Sequence, residues 1–540
     1  MKNFDKVQSE VGDVGWYQLL VFLATQLGYL SVAGSMLCTV YDSLLPDSTF
    51  NCSWTNSSLS AAEKEEELMV SASASVGFRS LFVEMGRGAL LCDGEKGGYL
   101  PTLASFAVML GGVLGAAFFG YLADRVGRKW PCVLSMAGVA VLNLAVAGAA
   151  LVYWPLTLCL YAFLGFFGGG WMVVNLVVLL EAVGGAEWRL GATAFNGWPA
   201  GLIMMGVLGY VTAYWRWYHV SLALIAVPCV FCQALLFESP RWLLQHGRIA
   251  EAGSILRKIG QMNGKSVQAD KLGLEEVVAD QESSRRLARN YSYVDLVRHR
   301  SVLLPLLALA YSWLASSIIS FGIYFNMGAL WGNVFVKMAL LGLFKGSTGV
   351  LPFFLGRCGV GRKPVLVAAV SWACASCWAV VIFYALVSDG AASPWLTAFS
   401  ILGASAVDPI WKVNHLYSTE LFPTVVRNMA RAVCNVGSRV GSVIGPQVAF
   451  LRTVHFALPY VLFGLLSIFH VIVSIFFLPE TKGRPLPDRL PSHQHYHAVD
   501  GKKAKQGEEE ANDIPLRISH EQQSSPPPPA IKDPNTSVKT

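Results

Sequence analysis

An arginine inside an apolar segment is the residue of this sequence with the clearest chemical potential. Arg439 lies in the stretch GSRVGS at 437–442, within an apolar run at 430–452. If that run crosses a bilayer, a charge near its centre costs roughly 2.5–3.5 kcal/mol and is seldom retained without use. A guanidinium holds a carboxylate through two parallel hydrogen bonds. Arg439 is therefore the first candidate for a contact with substrate, and an ion pair with Asp408 is the structural alternative.

The apolar run at 394–417 carries three polar side chains on one helical face. Asp408, Lys412 and His415 stand at i, i+4 and i+7, a spacing that places them on the same side of a helix. They form either an internal Asp–Lys ion pair or a proton-sensitive element, because histidine changes its charge near neutral pH. Lys337 and Lys345 have stems long enough to reach a membrane interface instead of lining a cavity.

Aromatic and amide side chains in the apolar runs are candidates for the walls of a binding cavity. Aromatic faces attract organic ions, and a few polar groups among them fix the orientation of a ligand. Tryptophan and tyrosine are also common anchors at membrane interfaces, so both roles are open. The candidates are Trp171, Asn175, Tyr324, Asn326, Trp331 and Trp411.

The sequence contains no constellation that points to an enzyme. It has no nucleophile motif, no pair of catalytic carboxylates and no phosphate-binding loop between a strand and a helix. We therefore predict no catalytic residues, no cofactor and no metal site. Glycines inside the apolar runs favour close packing of helices instead. They occur at 165–170 and as the pairs Gly111 with Gly115 and Gly197 with Gly201.

The composition indicates a protein that crosses a membrane many times. Of 540 residues, 54% are hydrophobic and 14% are charged, which is too apolar for soluble domains of this length. The net charge of +6 would suggest nucleic acid in a soluble protein, but here the bases lie in loops and tails, so no nucleic-acid partner is predicted. Runs of about 20 apolar residues cross a bilayer. They occur at 16–38, 100–122, 131–153, 155–180, 191–214, 217–237, 301–325, 330–356, 364–387, 394–417, 430–452 and 456–478.

Two polar loops determine the predicted orientation. The loop at 39–98 is acidic and carries acceptor sequons, so it lies outside the cell. The loop at 238–300 is rich in arginine and is therefore cytoplasmic. Both termini, at 1–15 and 479–540, then lie in the cytoplasm, and the Ser/Pro-rich end of the C-terminal tail predicts disorder.

The outer loop carries the predicted covalent modifications. Asn51 and Asn56 each begin an acceptor sequon for N-glycosylation. Cys52 and Cys92 lie in the same loop, where the oxidising exterior permits disulfides. We predict a disulfide between them, with Cys38 as a competing partner.

Short motifs recur in the second half of the chain at similar separations. The pairs are 127–129 with 361–363 (both GRK), Glu181 and Arg189 with Glu420 and Arg427, and 238–241 with 479–482. A parallel duplication of six helices is a known architecture of transporters, with a substrate site near the midplane between the halves. The repeat predicts an N-terminal half at 16–237 and a C-terminal half at 301–478.

The turn between the second and third apolar runs, GYLADRVGRK at 120–129, resembles the signature loop of major facilitator superfamily transporters. Acids and bases at the inner ends of the helices are suited to a latch that holds the two halves together and separates when the protein opens inward. Alternatively, each neutralises a neighbour or anchors a helix end. The predicted latch residues are Asp124, Arg125, Arg128, Glu181, Arg189, Arg241, Glu420 and Arg427.

Three longer motifs resemble those of the solute carrier 22 family of organic ion transporters. ESPRWLLQHGR at 238–248, TELFPTVVRN at 419–428 and LPETKGRPLP at 478–487 follow the sixth, tenth and twelfth runs. The resemblance implies an all-α major facilitator fold with twelve transmembrane helices. Members that handle organic anions or carnitine-like zwitterions have arginine at the position of Arg439, whereas typical organic-cation members have aspartate. The resemblance therefore implies a carboxylate-bearing substrate.

The chain departs from that family's pattern in two places. The usual Trp and Asp after the loop cysteine are replaced in CDGEKGGY at 92–99, and the lysine of anion-transporting members in the eighth helix appears as Gly349-Val350. These changes indicate a divergent member. We predict a plasma-membrane transporter of small organic anions or zwitterions that works by alternating access, with a coupling ion or counter-substrate left open. An organic cation transporter, using Asp408, and a non-transporting receptor or scaffold are the alternatives.

Overall fold

The protein is built almost entirely of helices. Its structure, a computed structural model, describes residues 4–44, 77–85, 94–184, 191–192, 194–265, 273–276, 278–279, 296, 298, 300–387, 393–422 and 426–482. Within these ranges the secondary structure is helical apart from one bridge between Arg79 and Tyr214. The predicted glycosylation sites at Asn51 and Asn56, the predicted disulfide of Cys52 and Cys92, and the C-terminal tail lie outside the described residues.

Each of the twelve apolar runs predicted from the sequence overlaps one long helix, so the predicted fold is confirmed. The first helix bends at Gly28 and again before Thr39, and the eighth has a break at Val350. The helices are α1 (Trp16–Asp42), α2 (Gly94–Val126), α3 (Lys129–Ala149), α4 (Trp154–Ala182), α5 (Trp198–Thr212), α6 (Trp215–Leu235), α7 (Arg300–Asn326), α8 (Val334–Arg357), α9 (Arg362–Leu386), α10 (Pro394–Glu420), α11 (Arg427–Phe450) and α12 (Leu458–Phe477).

Nine helices in the described part of the chain are long and apolar enough to cross a membrane. Of the other three, α5 is apolar but has only 15 residues. The helices α10 and α11 carry more charge, including Asp408, Lys412 and Arg439. Charged side chains in a bundle of this kind are retained where they face other helices or a polar cavity, so α10 and α11 are the helices to inspect for a site.

Glycines set the closest approaches between helices, as the sequence predicts. A Cβ atom on Gly115 of α2 would lie 1.7 Å from the carbonyl oxygen of Phe166 on α4. In the C-terminal half, a Cβ on Gly441 of α11 would lie 2.5 Å from the carbonyl oxygen of Leu314 on α7. Only glycine lets backbones approach this closely. Five other predicted glycines also lie against backbone atoms of a neighbouring helix: Gly111, Gly165, Gly169, Gly197 and Gly201. Gly168 and Gly170 instead lie against the side chains of Met36 and Phe119.

Helices α5 and α8 pack along the boundary between the two six-helix halves. A Cβ on Gly342 would lie 2.6 Å from the carbonyl oxygen of Pro199, and one on Gly206 would lie 2.5 Å from that of Phe335. Helices α2 and α11 form a second contact between the halves. We call the end of the bundle at which α1 ends the outer end, following the predicted orientation. There the ring of Tyr41 packs against Phe335 at 4.9 Å, so the halves are closed against each other at the outer end.

Three short helices in the described chain lie at the opposite, inner end and were not predicted from the sequence. They are Phe4–Val11, Pro240–Gln245 and Ile249–Met262. Their apolar side chains, such as Val7 and Leu243, are buried in one cluster with Tyr17 of α1. The segment at 238–300 is therefore not a simple polar loop, because its first part packs against the membrane helices.

Candidate functional site

A glutamate after α6 binds the start of α3 at the inner end of the N-terminal half. Glu238 Oε1 accepts hydrogen bonds from the backbone N–H groups of Arg128 at 2.7 Å and Lys129 at 3.3 Å, which are donors that a helix N-terminus leaves unpaired. Gly127 has a φ of +119° that favours glycine, and a Cβ there would lie 2.4 Å from Glu238 Oε2. The Arg128 guanidinium reaches α4, with Nη2 3.2 Å from Glu181 Oε1.

The C-terminal half repeats this arrangement after α12. Glu480 accepts hydrogen bonds from the backbone N–H groups of Arg362 at 2.8 Å and Lys363 at 3.1 Å, at the start of α9. A Cβ on Gly361 would lie 2.1 Å from Glu480 Oε2. Arg362 Nη2 lies 3.5 Å from Glu420 Oε1 on α10. The repeat predicted from the motifs is therefore confirmed as matching contacts at the starts of α3 and α9.

Replacing Glu480 with glutamine is expected to destabilise the folded protein by about 1–2 kcal/mol at neutral pH, because a charged cap is lost from a helix N-terminus. Burial alone would raise the pKa of Glu480, but backbone N–H groups, including those of Lys482 and Arg362, bring it below its ordinary value of 4.5. The stabilisation is therefore present above pH 4.5 and is lost as the pH falls through the lowered pKa, where the wild-type carboxyl is also neutral.

The free energy of unfolding of the purified protein in detergent, measured from neutral to acid pH, checks this expectation. Glu251→Gln is the control, because Glu251 is 55% exposed and pairs with an exposed arginine. We expect the control to change stability by less than about 0.5 kcal/mol. An effect of the Glu480 variant that is as large below the lowered pKa as at neutral pH would contradict the capping role.

For three of the remaining latch residues, the contacts that the structure describes lie within one half. Asp124 pairs with Arg128 of the same half. Arg125 lies 4.9 Å from the centre of a neighbouring tyrosine ring, and Arg427 Nε donates to a nearby backbone carbonyl oxygen at 3.3 Å. Arg189 lies outside the described residues. The latch, which also includes Arg241, therefore stays a prediction.

A buried acid lies between two lysines in the C-terminal half. Asp408 of α10 is 3.5 Å from Lys345 Nζ on α8 and 3.7 Å from Lys412 Nζ one turn later on α10. All three side chains are less than a tenth exposed. The predicted Asp–Lys pair is confirmed, and Asp408 pairs with these lysines instead of with Arg439. The interface position expected for Lys345 is wrong, because its ammonium group is held inside the bundle by Asp408 and by a backbone carbonyl oxygen 3.2 Å away.

Arg439 lies on α11 at the boundary between the halves. Its side chain is half-buried. The phenol of Tyr29 on α1 lies close enough to interact electrostatically with the guanidinium. Among the described residues, no carboxylate oxygen lies within 4.0 Å of a guanidinium nitrogen of Arg439. Because α1 and α11 belong to different halves, Arg439 lies where a substrate site is expected, and no acid of the described ranges pairs with it there.

Aromatic rings join the two halves beside Arg439. The ring of Tyr29 packs edge-on against Trp171 at 5.0 Å and Trp198 at 6.5 Å. Trp198 Nε1 donates to the Tyr324 hydroxyl at 3.3 Å, which connects α5 to α7. Lys345 Nζ lies 5.6 Å from the centre of the Tyr324 ring. We call these residues the central cluster, and its members are Tyr29, Trp171, Trp198, Tyr324, Lys345, Asp408, Lys412 and Arg439.

Of the other predicted wall residues, Asn175 borders the central cluster. It lies within hydrogen-bonding reach of the Tyr29 hydroxyl and donates to a backbone carbonyl oxygen of α1 at 3.2 Å. Asn326 donates to a tyrosine hydroxyl of α12 at 3.0 Å. Trp331 is 53% exposed in the turn between α7 and α8, so it does not line the central cluster. Trp411 and His415 both pack against a buried tryptophan of α7, at 5.5 and 4.7 Å.

Two members of the central cluster, Tyr29 and Trp198, escaped the sequence reasoning. Tyr29 is an isolated tyrosine in an apolar run, and Trp198 precedes a proline at the start of a short helix. The one signal for Tyr29 is the glycine before it, because a Cβ on Gly28 would lie 2.2 Å from the ring of Trp171. A small residue next to an aromatic residue is common in membrane helices, so this pattern does not mark Tyr29 as a site residue.

A small pocket lies at the inner end, and none of its lining residues belongs to the central cluster. It is bordered by α1, α4, α6 and the helix Ile249–Met262, and its polar lining includes Tyr17, Arg128, Glu181 and Gln233. These residues all belong to the N-terminal half and the segment that follows it. The pocket is therefore distinct from the boundary between the halves.

Comparison with known proteins agrees with this architecture. The family described as sugar (and other) transporters matches residues 43–488, which is most of the chain. The chain belongs to this family. It is a family of transporters within the major facilitator superfamily, and not of enzymes.

Relatives of the transporter include members of solute carrier family 22, as the motifs indicate. The chain is 28% identical to member 15 of Xenopus tropicalis, with 89% of each chain covered. It is also 28% identical to member 7 of Mus musculus, over 74% of this chain and 72% of the relative, and 28% identical to member 2 of Rattus norvegicus, over 75% and 71%. The inward-open xylose transporter XylE from E. coli superposes with a TM-score of 0.59 at 17% identity, over 87% of this chain and 98% of that one, and shows a shared fold.

Proposed function

We propose that this transporter moves small organic anions or carnitine-like zwitterions by alternating access. The charge of the central cluster carries the proposal. Arg439, Lys345 and Lys412 supply three positive charges and Asp408 supplies one negative charge, so two formal positive charges remain. Uncompensated charge inside a bundle is costly and is retained where a ligand or ion pairs with it. A carboxylate would provide that pairing.

The geometry around Arg439 suits an organic carboxylate. The guanidinium offers a planar fork of donors that matches the two oxygens of a carboxylate. The ring of Tyr29 lies near it, and the rings of Trp171 and Trp198 pack against Tyr29. These rings would provide apolar faces for the organic part of a ligand. The hydrogen bond from Trp198 to Tyr324 crosses the boundary and must break when the halves separate along it. Substrate movement would accompany that separation.

An organic cation transporter is less well supported by the same cluster. A cation site requires an acid that is free to pair with the substrate. Asp408, the predicted candidate, is buried between Lys345 and Lys412, so a cation would have to displace a lysine from it. A non-transporting receptor or scaffold on this fold is the other alternative, and a transport measurement separates it from the proposal.

We further propose that the protein resides in the plasma membrane with both termini in the cytoplasm. The support comes from charge. The basic turns at 127–129 and 361–363 both lie at the inner end, where α3 and α9 begin, and basic loops favour the cytoplasmic side. The acceptor sequons at Asn51 and Asn56 then lie outside, and the disulfide between Cys52 and Cys92 stays part of this proposal.

Uptake by the purified protein in proteoliposomes tests the proposed function. The panel is an aryl carboxylate, a dicarboxylate, carnitine and a quaternary ammonium ion without a carboxylate, with protein-free liposomes as the control. We expect saturable uptake of the compounds that carry a carboxylate. Uptake of the quaternary ammonium ion alone would contradict the substrate class. No uptake of any compound by a correctly folded sample would contradict transport and favour the receptor.

A further inference from the structure

A second group of ionisable side chains is buried at the outer end of the N-terminal half, away from the central cluster. Asp42 is the last residue of α1, and its Oδ2 lies 3.0 Å from Nε2 of His219 on α6. Both side chains are 0% exposed. The Tyr161 hydroxyl on α4 donates to the same Oδ2 at 2.6 Å. Neither Asp42 nor His219 was singled out from the sequence, because they are far apart in the chain.

The hydrogen bonds around His219 determine which of its ring nitrogens carries a hydrogen. Asn143 Nδ2 donates to Ser35 Oγ at 2.9 Å and to the carbonyl oxygen of Val139 at 2.8 Å. The amide oxygen of Asn143 therefore faces the ring, 2.8 Å from His219 Nδ1. An oxygen of this kind only accepts hydrogen bonds. His219 Nδ1 must therefore be the donor, and in a neutral ring Nε2 is left as an acceptor.

This assignment requires one proton between Asp42 and His219. If the carboxyl were ionised and the imidazole neutral, two acceptors would face each other at 3.0 Å, with no donor between them. A single proton resolves this, either on Nε2 as an imidazolium–carboxylate pair or on Oδ2 as a neutral acid and imidazole. Both forms have no net charge, which suits a site with 0% exposure, whereas adding or removing a proton would leave a buried charge.

Aromatic residues separate this pair from the opposite half of the protein. Tyr41, next to Asp42, packs against Tyr218 at 5.3 Å and against Phe335 of α8 at 4.9 Å. The ring of Phe78 also packs against that of Phe335, with 5.6 Å between the ring centres. Opening of the outer end must move Phe335 away from Tyr41, because α8 belongs to the C-terminal half. That movement uncovers Tyr41, the chain neighbour of Asp42, on the side that faces the boundary between the halves.

The other ionisable groups near the pair are of types that ordinarily keep the same charge near neutral pH. They are the Cys38 thiol, whose Sγ lies within 4.8 Å of the carboxylate of Asp42 and the ring of His219, and the phenols of Tyr41, Tyr161 and Tyr218. Thiols and phenols ordinarily titrate above about pH 8. The charged groups Arg79, Glu84 and Arg216 form a separate ion-pair group at the start of α6.

We propose that Asp42 and His219 form a proton-binding site that holds one proton while the outer end is closed and exchanges it with outside water when that end opens. Above about pH 6.5, the pair exposed to water is an ionised carboxylate and a neutral imidazole. Closing then takes up one proton from the outside, and that proton becomes the shared proton of the pair. The site is separate from the central cluster and does not depend on which substrate is carried.

The pH dependence of the unfolding equilibrium tests the proposal without any transport measurement. Above about pH 6.5 the unfolded pair binds no proton and the folded pair binds one, so stability falls as the pH rises. Relative to Asp42→Asn, the folding equilibrium constant of the wild type should fall by a further factor of about ten per pH unit between about pH 6.5 and 8. The asparagine amide can donate to His219 Nε2, so the variant keeps the hydrogen bond without the shared proton.

Tyr161→Phe is the matched control, because it removes a hydrogen bond to Asp42 Oδ2 and no proton. It should retain the wild-type pH dependence. If Asp42→Asn does not fold, the double variant D42N/H219Q places two neutral amides at the site and should also lose the dependence. Equal slopes in the wild type and the Asp42 variant would overturn the proposal. So would one zinc ion per molecule in the purified wild type that is absent from the variant, because the occupant would then be a metal ion.

Discussion

Asp408→Asn is expected to reduce the stability of the folded protein by about 3–5 kcal/mol, the usual cost of removing one partner of a buried ion pair. The change leaves Lys345 and Lys412 as two buried ammonium groups, each less than a tenth exposed, without an acid between them. Their mutual repulsion adds to the cost of desolvating each charge. We expect little of this variant at the cell surface, and a much lower melting temperature for any protein that is purified.

Two matched variants separate the role of charge from that of packing at this position. Lys412→Met keeps the length of the side chain and leaves a neutral pair of Asp408 and Lys345, so its stability should stay within about 1.5 kcal/mol of the wild type. Adding Lys345→Met and Lys412→Met to the Asp408 variant removes all three charges and should recover most of the loss. Melting temperatures in detergent measure both effects. A Lys412 variant as unstable as the Asp408 variant would contradict this account of the charges.

Arg439→Ala is expected to lower carboxylate uptake by a factor of about ten to one hundred. Hydrogen bonds to a charged group contribute about 1.5–3 kcal/mol, and each 1.4 kcal/mol corresponds to a factor of about ten. Folding should tolerate the change, because no described carboxylate pairs with Arg439 and would be left unpaired. Arg439→Lys keeps the charge and loses the planar fork, so its uptake should lie between those of the wild type and the alanine variant.

Features that repeat along the chain were predictable from the sequence. The length of the apolar runs predicts the twelve helices, since a bilayer requires about 20 residues. The paired motifs predict the matching contacts of Glu238 and Glu480, because a duplicated fold places equivalent motifs in equivalent positions. The spacing of Asp408 and Lys412 made an ion pair one of the two roles predicted for them, because residues at i and i+4 share one face of a helix.

Contacts between distant segments were not predictable in the same way. A helical pattern shows which residues share a face, but not which other helix that face meets. Lys345 therefore looked like an interface residue until α8 and α10 were brought together around Asp408. The pair of Asp42 and His219 joins the end of α1 to the start of α6, and no local pattern connects them. The basic residues of the segment at 238–300 indicate a cytoplasmic loop, but the helix Ile249–Met262 within it also has an apolar face that packs against the membrane helices.

The measurement that tests the central claim most directly is carboxylate uptake by the wild type and by Arg439→Ala at equal amounts of folded protein. Arg357→Ala, which removes an exposed arginine at the end of α8, is the control for loss of a positive charge. The account predicts that uptake of the aryl carboxylate falls at least about tenfold in the Arg439 variant and is unchanged in the control. Unchanged carboxylate uptake in Arg439→Ala would contradict it, because the substrate carboxylate would then be bound elsewhere.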